Sequence, residues 1–219
     1  RQIEVKPDGE RLNNFDFYKY EWEKDNRHLE VIFEKSGRGI TAINCDEFEI
    51  KTEIEDNRLV IGKSYKIKYI FCNKTNQEMQ LSIKGKGEKN LQMDYKHDFK
   101  LNGSAEIEAE FFVDKISSES DAWKTQPAIV SEISINGKLA IFKTGIESKF
   151  PFTVNLLYNC YHLHREQEAY LNVSNNYKEK AEFQIQFPEN ENMKAKKNPI
   201  CFSLESKEKK SVGFNVTID

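Results

Sequence analysis

The fold is decided by a stretch near the middle of the chain, PAIVSEISINGKLAIFKTGIESKFPFTVNLL at residues 127–157. Apolar and polar residues alternate over 128–135 and again over 139–143, and Asn136-Gly137 lies between the two runs. Both central residues of a type I′ turn need a positive φ, which Asn and Gly tolerate. The pattern therefore predicts a β-hairpin, followed by a third strand over 150–157.

Alternating runs continue on both sides of this hairpin. They are short and rich in β-branched and aromatic residues, which is typical of strands. The predicted strands on the N-terminal side cover residues 15–22, 28–33, 40–43, 48–54, 59–61, 65–72, 79–83 and 107–113. Helical periodicity with caps is scarce, and a single turn over 117–123 is the one candidate. We expect an all-β protein.

Two parts of the chain repeat one plan of strand, Asn-containing turn, strand, long loop, Phe-x-Leu, turn and terminal strand. The matching pieces are 69–73 with 170–175, 79–83 with 181–187, 99–101 with 202–204, and 105–113 with 211–218. Repeated plans of this kind indicate two modules of one architecture. An alternating face is buried only if two sheets close over each other, so we expect two tandem Ig-like β-sandwiches with Greek-key connections.

The expected domains are a β-rich N-terminal segment over 1–57 that packs on the first module, an Ig-like β-sandwich over 58–155, and a smaller one over 156–219. The joint around 150–161 is aromatic and aliphatic, whereas flexible tethers are polar and rich in small residues. The second module is short for an independent fold. We therefore expect the two modules to pack together and to unfold together.

The strand plan at 65–113 and 168–219 resembles the Ig-like accessory modules of the cell-adhesion-related (CARDB-like) kind, which occur beside catalytic domains and in bacterial surface proteins. The Trp and paired-Cys hallmarks of antibody-type domains are absent. The resemblance implies an accessory function in binding, spacing or domain packing, with another domain or protein as the partner. It brings no catalytic residues.

Composition limits the partners. The net charge is -3 with both signs interspersed, which argues against a nucleic-acid binder with a concentrated basic face. The longest apolar runs are only a few residues, so no membrane span is expected.

The first residue is Arg1 rather than Met, so we expect a mature form or an excised piece of a longer protein. A soluble chain is expected, and a cytoplasmic or an extracellular location stays open.

The sequence gives little support for a catalytic function. Histidine is scarce, with four in the chain, and no GxSxG, HExxH, Walker or dinucleotide fingerprint is present. We therefore expect a non-catalytic module without a cofactor. A hydrolase whose site carries no recognisable motif is the remaining enzymatic hypothesis.

Aromatic residues form the first candidate site. Tyr18, Tyr20 and Trp22 share one face of a predicted strand, and Trp123 is the other tryptophan. Exposed Trp and Tyr are the stacking platforms of sugar-binding modules, so a carbohydrate-binding module is the alternative function, with a glycan as ligand. The competing interpretation is packing in the core or at a domain interface, which is where most aromatic residues of a sandwich lie.

A Cys-x-His-x-His sequence forms the second candidate site. Cys160, His162 and His164 would lie on one side of an extended segment, and Cys201 could supply a fourth ligand for Zn²⁺. Positions i and i+2 of a strand are ~6.5 Å apart, which is wide for ligands of one ion, so we favour packing and expect no metal. The chain has four cysteines without a CxxC pair, and they fit two disulfides or four free thiols.

Overall fold

The computed structural model describes residues 5–6, 11–12, 15–34, 39–55, 58–115, 127–157, 162–188 and 191–219, with side chains from Tyr20 onward. Every regular element in these ranges is a β-strand. The predicted all-β class is therefore confirmed. The helical turn predicted over 117–123 lies outside the described residues.

The chain divides into two compact units, Arg1–Ser148 and Lys149–Asp219. The strands up to the end of the first unit are β1 (Val5–Lys6), β2 (Arg11–Leu12), β3 (Phe15–Lys24), β4 (Arg27–Glu34), β5 (Ile40–Cys45), β6 (Phe48–Glu53), β7 (Arg58–Val60), β8 (Lys63–Asn73), β9 (Met79–Gly87), β10 (Leu91–Gln92), β11 (Asp94–Leu101), β12 (Ser104–Val113), β13 (Ala128–Ile135), β14 (Lys138–Gly145) and β15 (Glu147–Lys149). The later strands are β16 (Phe152–Leu156), β17 (Glu166–Asn175), β18 (Ala181–Ile185), β19 (Met193–Ala195), β20 (Ile200–Leu204) and β21 (Lys209–Ile218).

The first unit contains two layers of strands with an apolar core between them. One layer has the order β6-β8-β12-β10, and the other has the order β14-β13-β9-β11. The layers are continuous through β5, which pairs with β6 from Ala42 to Asn44 and with β14 at Ile40. This strand order is that of an immunoglobulin-like sandwich. Its core is filled by large side chains such as Tyr69, Phe71, Phe111 and Phe142, each at most 1% exposed.

The central hairpin forms as its sequence predicts. β13 and β14 pair antiparallel with Ile135 opposite Lys138, and the two residues between them have positive φ angles, 47° for Asn136 and 81° for Gly137. These angles are those of a type I′ turn. The side chain of Asn136 also reaches the next strand, where its Oδ1 accepts the backbone N–H of Gln80 at 2.9 Å.

Residues before the first sandwich strand extend its sheet. β3 pairs with β4 through a tight turn at Asp25 and Asn26, β4 pairs with β5, and β5 pairs with β6. The sequence places a domain boundary after residue 57, yet β6 is already the outer strand of the sandwich layer that contains β8. The N-terminal strands thus continue this layer rather than forming a sheet of their own.

The second unit repeats part of the first. Its strand orders β16-β17-β21-β19 and β18-β20 correspond to β6-β8-β12-β10 and β9-β11. The registers match too, because Phe48 lies opposite Asn73 and Phe152 lies opposite Asn175. The segment 152–156, which the sequence placed at the end of the first module, pairs with β17 and so lies in the second unit.

A smaller core holds the second unit together. Its buried members include Leu171, Val173, Leu204 and Val216. Phe152, from β16, stacks on Phe183 with ring centroids 4.2 Å apart and also contacts Phe202 at 5.7 Å. One end of β16 is therefore anchored by aromatic contacts across the two layers. Among the described residues of 149–219, no strand corresponds to β13 or β14 of the first unit.

Candidate functional site

The aromatic face of β3 belongs to the core side of its sheet. Tyr20 lies opposite Val31, and Trp22 lies opposite Leu29. Val31 is buried at 7% exposure, and Tyr20 is packed against the same core. Since paired residues of antiparallel strands point to the same face, both aromatic side chains face inward, and each is half-buried.

The rest of this candidate platform lies outside the described side chains, namely Tyr18 and Trp123. The structure therefore brings together Tyr20 and Trp22 but does not place the other two. A stacking platform needs a ring face open to the ligand, whereas Tyr20 contributes to core packing. The glycan-binding hypothesis stays a prediction.

The two described histidines of the Cys-x-His-x-His sequence do not share a straight strand. His162 is bound through its main chain, which donates to and accepts from the side-chain amide of Gln167 at 2.9 and 2.8 Å. His164 has a positive φ of 55°, and its Nδ1 lies 3.8 Å from a carboxylate oxygen of Asp219. Both side chains are exposed, and Cys160 lies outside the described residues.

Metal-ligating residues do not converge in the described part of the chain. No group of three His, Cys, Asp or Glu side chains there could hold a metal ion. Cys45, Cys72 and Cys201 are free thiols, the first two half-buried and the third exposed. Cys201 faces Gln184 across β18 and β20. The described cysteines therefore follow the free-thiol interpretation.

The exposed face of β8 and β12 carries ion pairs across the strands. Lys66 Nζ lies 2.7 Å from Glu108, and Lys68 Nζ lies 3.0 Å from Glu106. The hydrogen bond to Glu108 and its negative charge raise the pKa of Lys66, and the hydrogen bond from Lys66 and its positive charge lower the pKa of the Glu108 carboxyl. All four side chains are solvated, so these pairs belong to an ordinary charged surface and not to a catalytic cluster.

One buried polar pair lies inside the first unit. The Tyr69 hydroxyl and Ser131 Oγ are 2.7 Å apart, and the two residues are 0% and 1% exposed. Burial raises the pKa of Tyr69 to about 12, partly offset by the hydrogen bond to Ser131. The pair joins β8 in one layer to β13 in the other, so it positions the hairpin over the core.

In the second unit, strand β16 exposes apolar side chains on the side of its sheet that faces the core. Val154 and Leu156 lie opposite Val173 and Leu171, which are buried in the core, so all four face the same way. Yet Val154 is 41% exposed and Leu156 is 48% exposed. We name these two residues the open face of β16, because they belong to the core side of the sheet and nothing in the second unit covers them among its described residues.

The first unit shows what covers this position. Ile50, the counterpart of Val154, is 1% exposed, and Thr52, the counterpart of Leu156, is 8% exposed. Thr52 Oγ1 hydrogen-bonds Thr144 Oγ1 of β14 at 3.2 Å. The hairpin of β13 and β14 thus closes the sandwich over β6, and the second unit has no described counterpart of it. The open face of β16 is the candidate functional site.

No protein family model matches the chain, and no curated protein sequence matches it. Among solved structures, the chain is similar to a mutant Salmonella alpha-2-macroglobulin, with a TM-score of 0.31, 6% identity, and coverage of 99% of this chain and 20% of that one. It is also similar to red sea bream transglutaminase (TM-score 0.34, 7% identity, 77% of this chain and 27% of that one). A third is E. coli alpha-2-macroglobulin in its native conformation (TM-score 0.30, 6% identity, 88% and 17%). The chain thus spans between 17% and 27% of the length of these proteins.

None of the described residues forms a helix that is long and apolar enough to cross a membrane.

Proposed function

We propose that the chain is a non-catalytic accessory module of a larger protein and that it binds another domain or protein through its second unit. The observation that carries this proposal is the open face of β16, where Val154 and Leu156 expose core-facing apolar surface. Exposed apolar surface that is contiguous with a core marks interaction sites in soluble proteins. The strand plan that resembles CARDB-like accessory modules supports the same function.

The distribution of the other exposed apolar residues also supports a binding surface in this unit. Phe150, Leu157 and Leu163 are exposed as well, at 66%, 38% and 64%. The first unit has Leu139 and Ile141 exposed, but these alternate with Ala140 and Phe142 along β14 and so lie on the outer face of a closed sandwich. They offer a matched control because they form a similar apolar pair outside the proposed site.

The test uses the full chain and a displayed library of random peptides. The double variant V154K/L156K should lose binding of the selected peptides at least ten-fold, because lysine cannot be buried against an apolar partner. The control variant L139K/I141K should bind them as the unchanged chain does. Equal binding by the chain and both variants would contradict the proposal. Urea unfolding of each variant checks that the second unit is still folded.

A further inference from the structure

β11 lies at the edge of its sheet in the first unit, and among the described strands it pairs only with β9. The backbone of Gln80 on β9 faces β13, since its carbonyl accepts a hydrogen bond of 2.8 Å from the turn after that strand. Backbone polar groups alternate sides along a strand, so the next residue, Leu81, faces β11 and its partner Phe99. By the same alternation Lys96 and Asp98 direct their N–H and C=O groups to the outer edge of β11.

The charged side chains of β11 form a pattern that is complementary to its own reverse. They read Asp94, Lys96, Asp98 and Lys100, and all of them are exposed. If two copies of β11 pair antiparallel about a two-fold axis at His97, every lysine lies opposite an aspartate of the other copy. An axis at position 96 or 98 would place like charges opposite each other, and an axis at 95 or 99 would keep only two of the four complementary pairs. The charges therefore select one register.

The internal repeat shows that the fold does not require this charge pattern. β20 is the counterpart of β11 in the second unit and has the same Phe-x-Leu end. It carries Cys201 and Ser203 where β11 carries Asp98 and Lys100. A strand at this position therefore forms without alternating charges, so their presence on β11 is a property of this edge and not of the architecture.

The core side of β11 has aromatic surface that the first unit covers only in part. Tyr95 and Phe99 contact the buried rings of Tyr69 and Phe71, with centroids 6.4 and 5.4 Å apart, yet both are only half-buried. His97 lies between them on the same side, with its ring 5.3 Å from that of Phe99, and it is exposed. The register selected by the charges would place Tyr95 of one copy opposite Phe99 of the other, and aromatic cross-strand pairs of this kind stabilise sheets. Both faces of β11 therefore fit a second copy of the same strand.

We propose that two copies of the chain associate through β11, antiparallel and with the two-fold axis at His97, so that the sheets of two first units join into one. This inference goes beyond the proposed function, because it concerns a different unit and a different surface. Within one copy Lys96 Nζ lies 3.4 Å from Asp98, but the two side chains are 64% and 59% exposed, and such solvated pairs contribute little. Both residues are therefore available to a partner strand.

Lysines on an edge strand usually oppose pairing with other strands. On β11 each lysine would meet an aspartate of the second copy, so the pattern favours this one partner and register over others. The edge is short beside standard interfaces, which bury roughly 1,200–2,000 Å². We therefore expect a weak, reversible dimer.

Sedimentation of the full chain at up to about 500 µM should show an equilibrium between monomer and dimer. The variant K96D places negative charges opposite each other on both sides of the axis, and D98K places positive charges opposite each other. Each should weaken dimerisation roughly ten-fold or more. K66D is the matched control, since it makes the same change in net charge as K96D but breaks an exposed ion pair with Glu108 away from this edge. It should leave dimerisation unchanged.

Mixing the two weakened variants gives the sharpest test. A pair that contains one copy of K96D and one copy of D98K has opposite charges at both positions. The mixture should therefore dimerise as the unchanged chain does, which also shows that both variants are folded. Hydrogen exchange should show that the amides of Lys96 and Asp98 gain protection as the chain concentration rises, whereas those of His97 and Phe99, which face β9, should not change.

Several results would overturn the inference. One is a chain that stays monomeric over the whole concentration range. Another is a dimer that K96D and D98K do not weaken, or one that their mixture does not restore. A dimer that is lost in V154K/L156K but kept in K96D would assign the association to the open face of β16 instead. The peptide test of the proposed function uses that open face, so its outcome is independent of the edge of β11.

Discussion

Asn73 and Asn175 make the same contacts in two different units. Each side-chain amide donates to a carbonyl four residues further on, that of Gln77 at 2.7 Å and that of Glu179 at 2.8 Å. Each also donates to a second strand, at Leu101 (3.0 Å) and Leu204 (3.2 Å). The side-chain oxygens accept a backbone N–H two residues on, so both asparagines close the turn after β8 or β17.

Replacing Asn175 by alanine should destabilise the second unit by about 2 kcal/mol or more, because the substitution removes the side-chain donor to the buried carbonyl of Leu204 and two further hydrogen bonds that close the turn. Asn175 is 1% exposed and its amide donates to three carbonyl oxygens. Urea unfolding of the full chain measures the effect. The matched control is Asn172→Ala on the same strand, where the side chain is exposed. Equal unfolding midpoints for the two variants would contradict a structural role for Asn175.

Gly137→Val should lower the free energy of unfolding by about 1 kcal/mol or more, since a β-branched residue is strained at the φ of +81° found there. A side chain at this position meets no neighbouring atom within 4 Å, so the cost is in the backbone alone. Gly103→Val is the matched control. It also has open space around it, but it has no positive φ. The prediction fails if both variants melt at the same temperature.

Gly39→Ala should lower the free energy of unfolding more than Gly137→Val does, because a Cβ at this position would overlap the Cβ of Lys143 on β14. The two backbones approach each other next to the pairing of Ile40 with Phe142, where β5 joins the two layers. We expect a loss of about 2 kcal/mol in the free energy of unfolding, in the range of other overpacked sites. Gly103→Ala provides the comparison in open space. A neutral effect of Gly39→Ala would show that the layers are not closed at this point.

The pKa of Tyr69 gives a prediction at alkaline pH. The folded pKa is about 12, above the ordinary value of 10, so the protonated hydroxyl stabilises the folded state fully below pH 10. As the pH rises through that range the unfolded chain loses its proton first, and stability falls. Between pH 9.5 and 11 the chain should lose about 1 kcal/mol more than its Tyr69→Phe variant does. Parallel curves of unfolding free energy against pH for the two proteins would contradict the raised pKa.

Much of the fold follows from local sequence signals. The alternation over 128–135 and the Asn-Gly pair predicted the hairpin, its register and its turn type, all of which are confirmed. The match of 69–73 with 170–175 placed Asn73 and Asn175 at equivalent positions, and their shared hydrogen bonds are a consequence. These features could be predicted because a two-residue period and a turn need only neighbouring residues.

Other features depend on pairing partners far along the chain. β9 continues to Gly87, beyond the strand predicted over 79–83, because β11 and β13 pair with it on both sides. The membership of 152–156 in the second unit is decided by pairing with β17. The predicted joint unfolding of the two modules stays a prediction.

The candidate site was the feature that was hardest to predict from the sequence. Alternation shows that Val154 and Leu156 share a face, but whether a second layer covers that face depends on other strands. The sequence-based hypothesis of a binding site rested on aromatic residues that include Tyr20 and Trp22. Both of these side chains face the core side of their sheet.

The conformation of the turn at Asn136 also affects the rate at which this asparagine deamidates. In a flexible chain the backbone nitrogen after an asparagine attacks the side-chain carbonyl, and a following glycine hinders that attack least, so such asparagines are labile. Here the side-chain oxygen of Asn136 is engaged by the N–H of Gln80, and its own N–H is engaged by the carbonyl of that residue. Cyclisation must await a local opening of the contact between β9 and β13. The rate of isoaspartate formation at Asn136 should therefore depend on how often this contact opens.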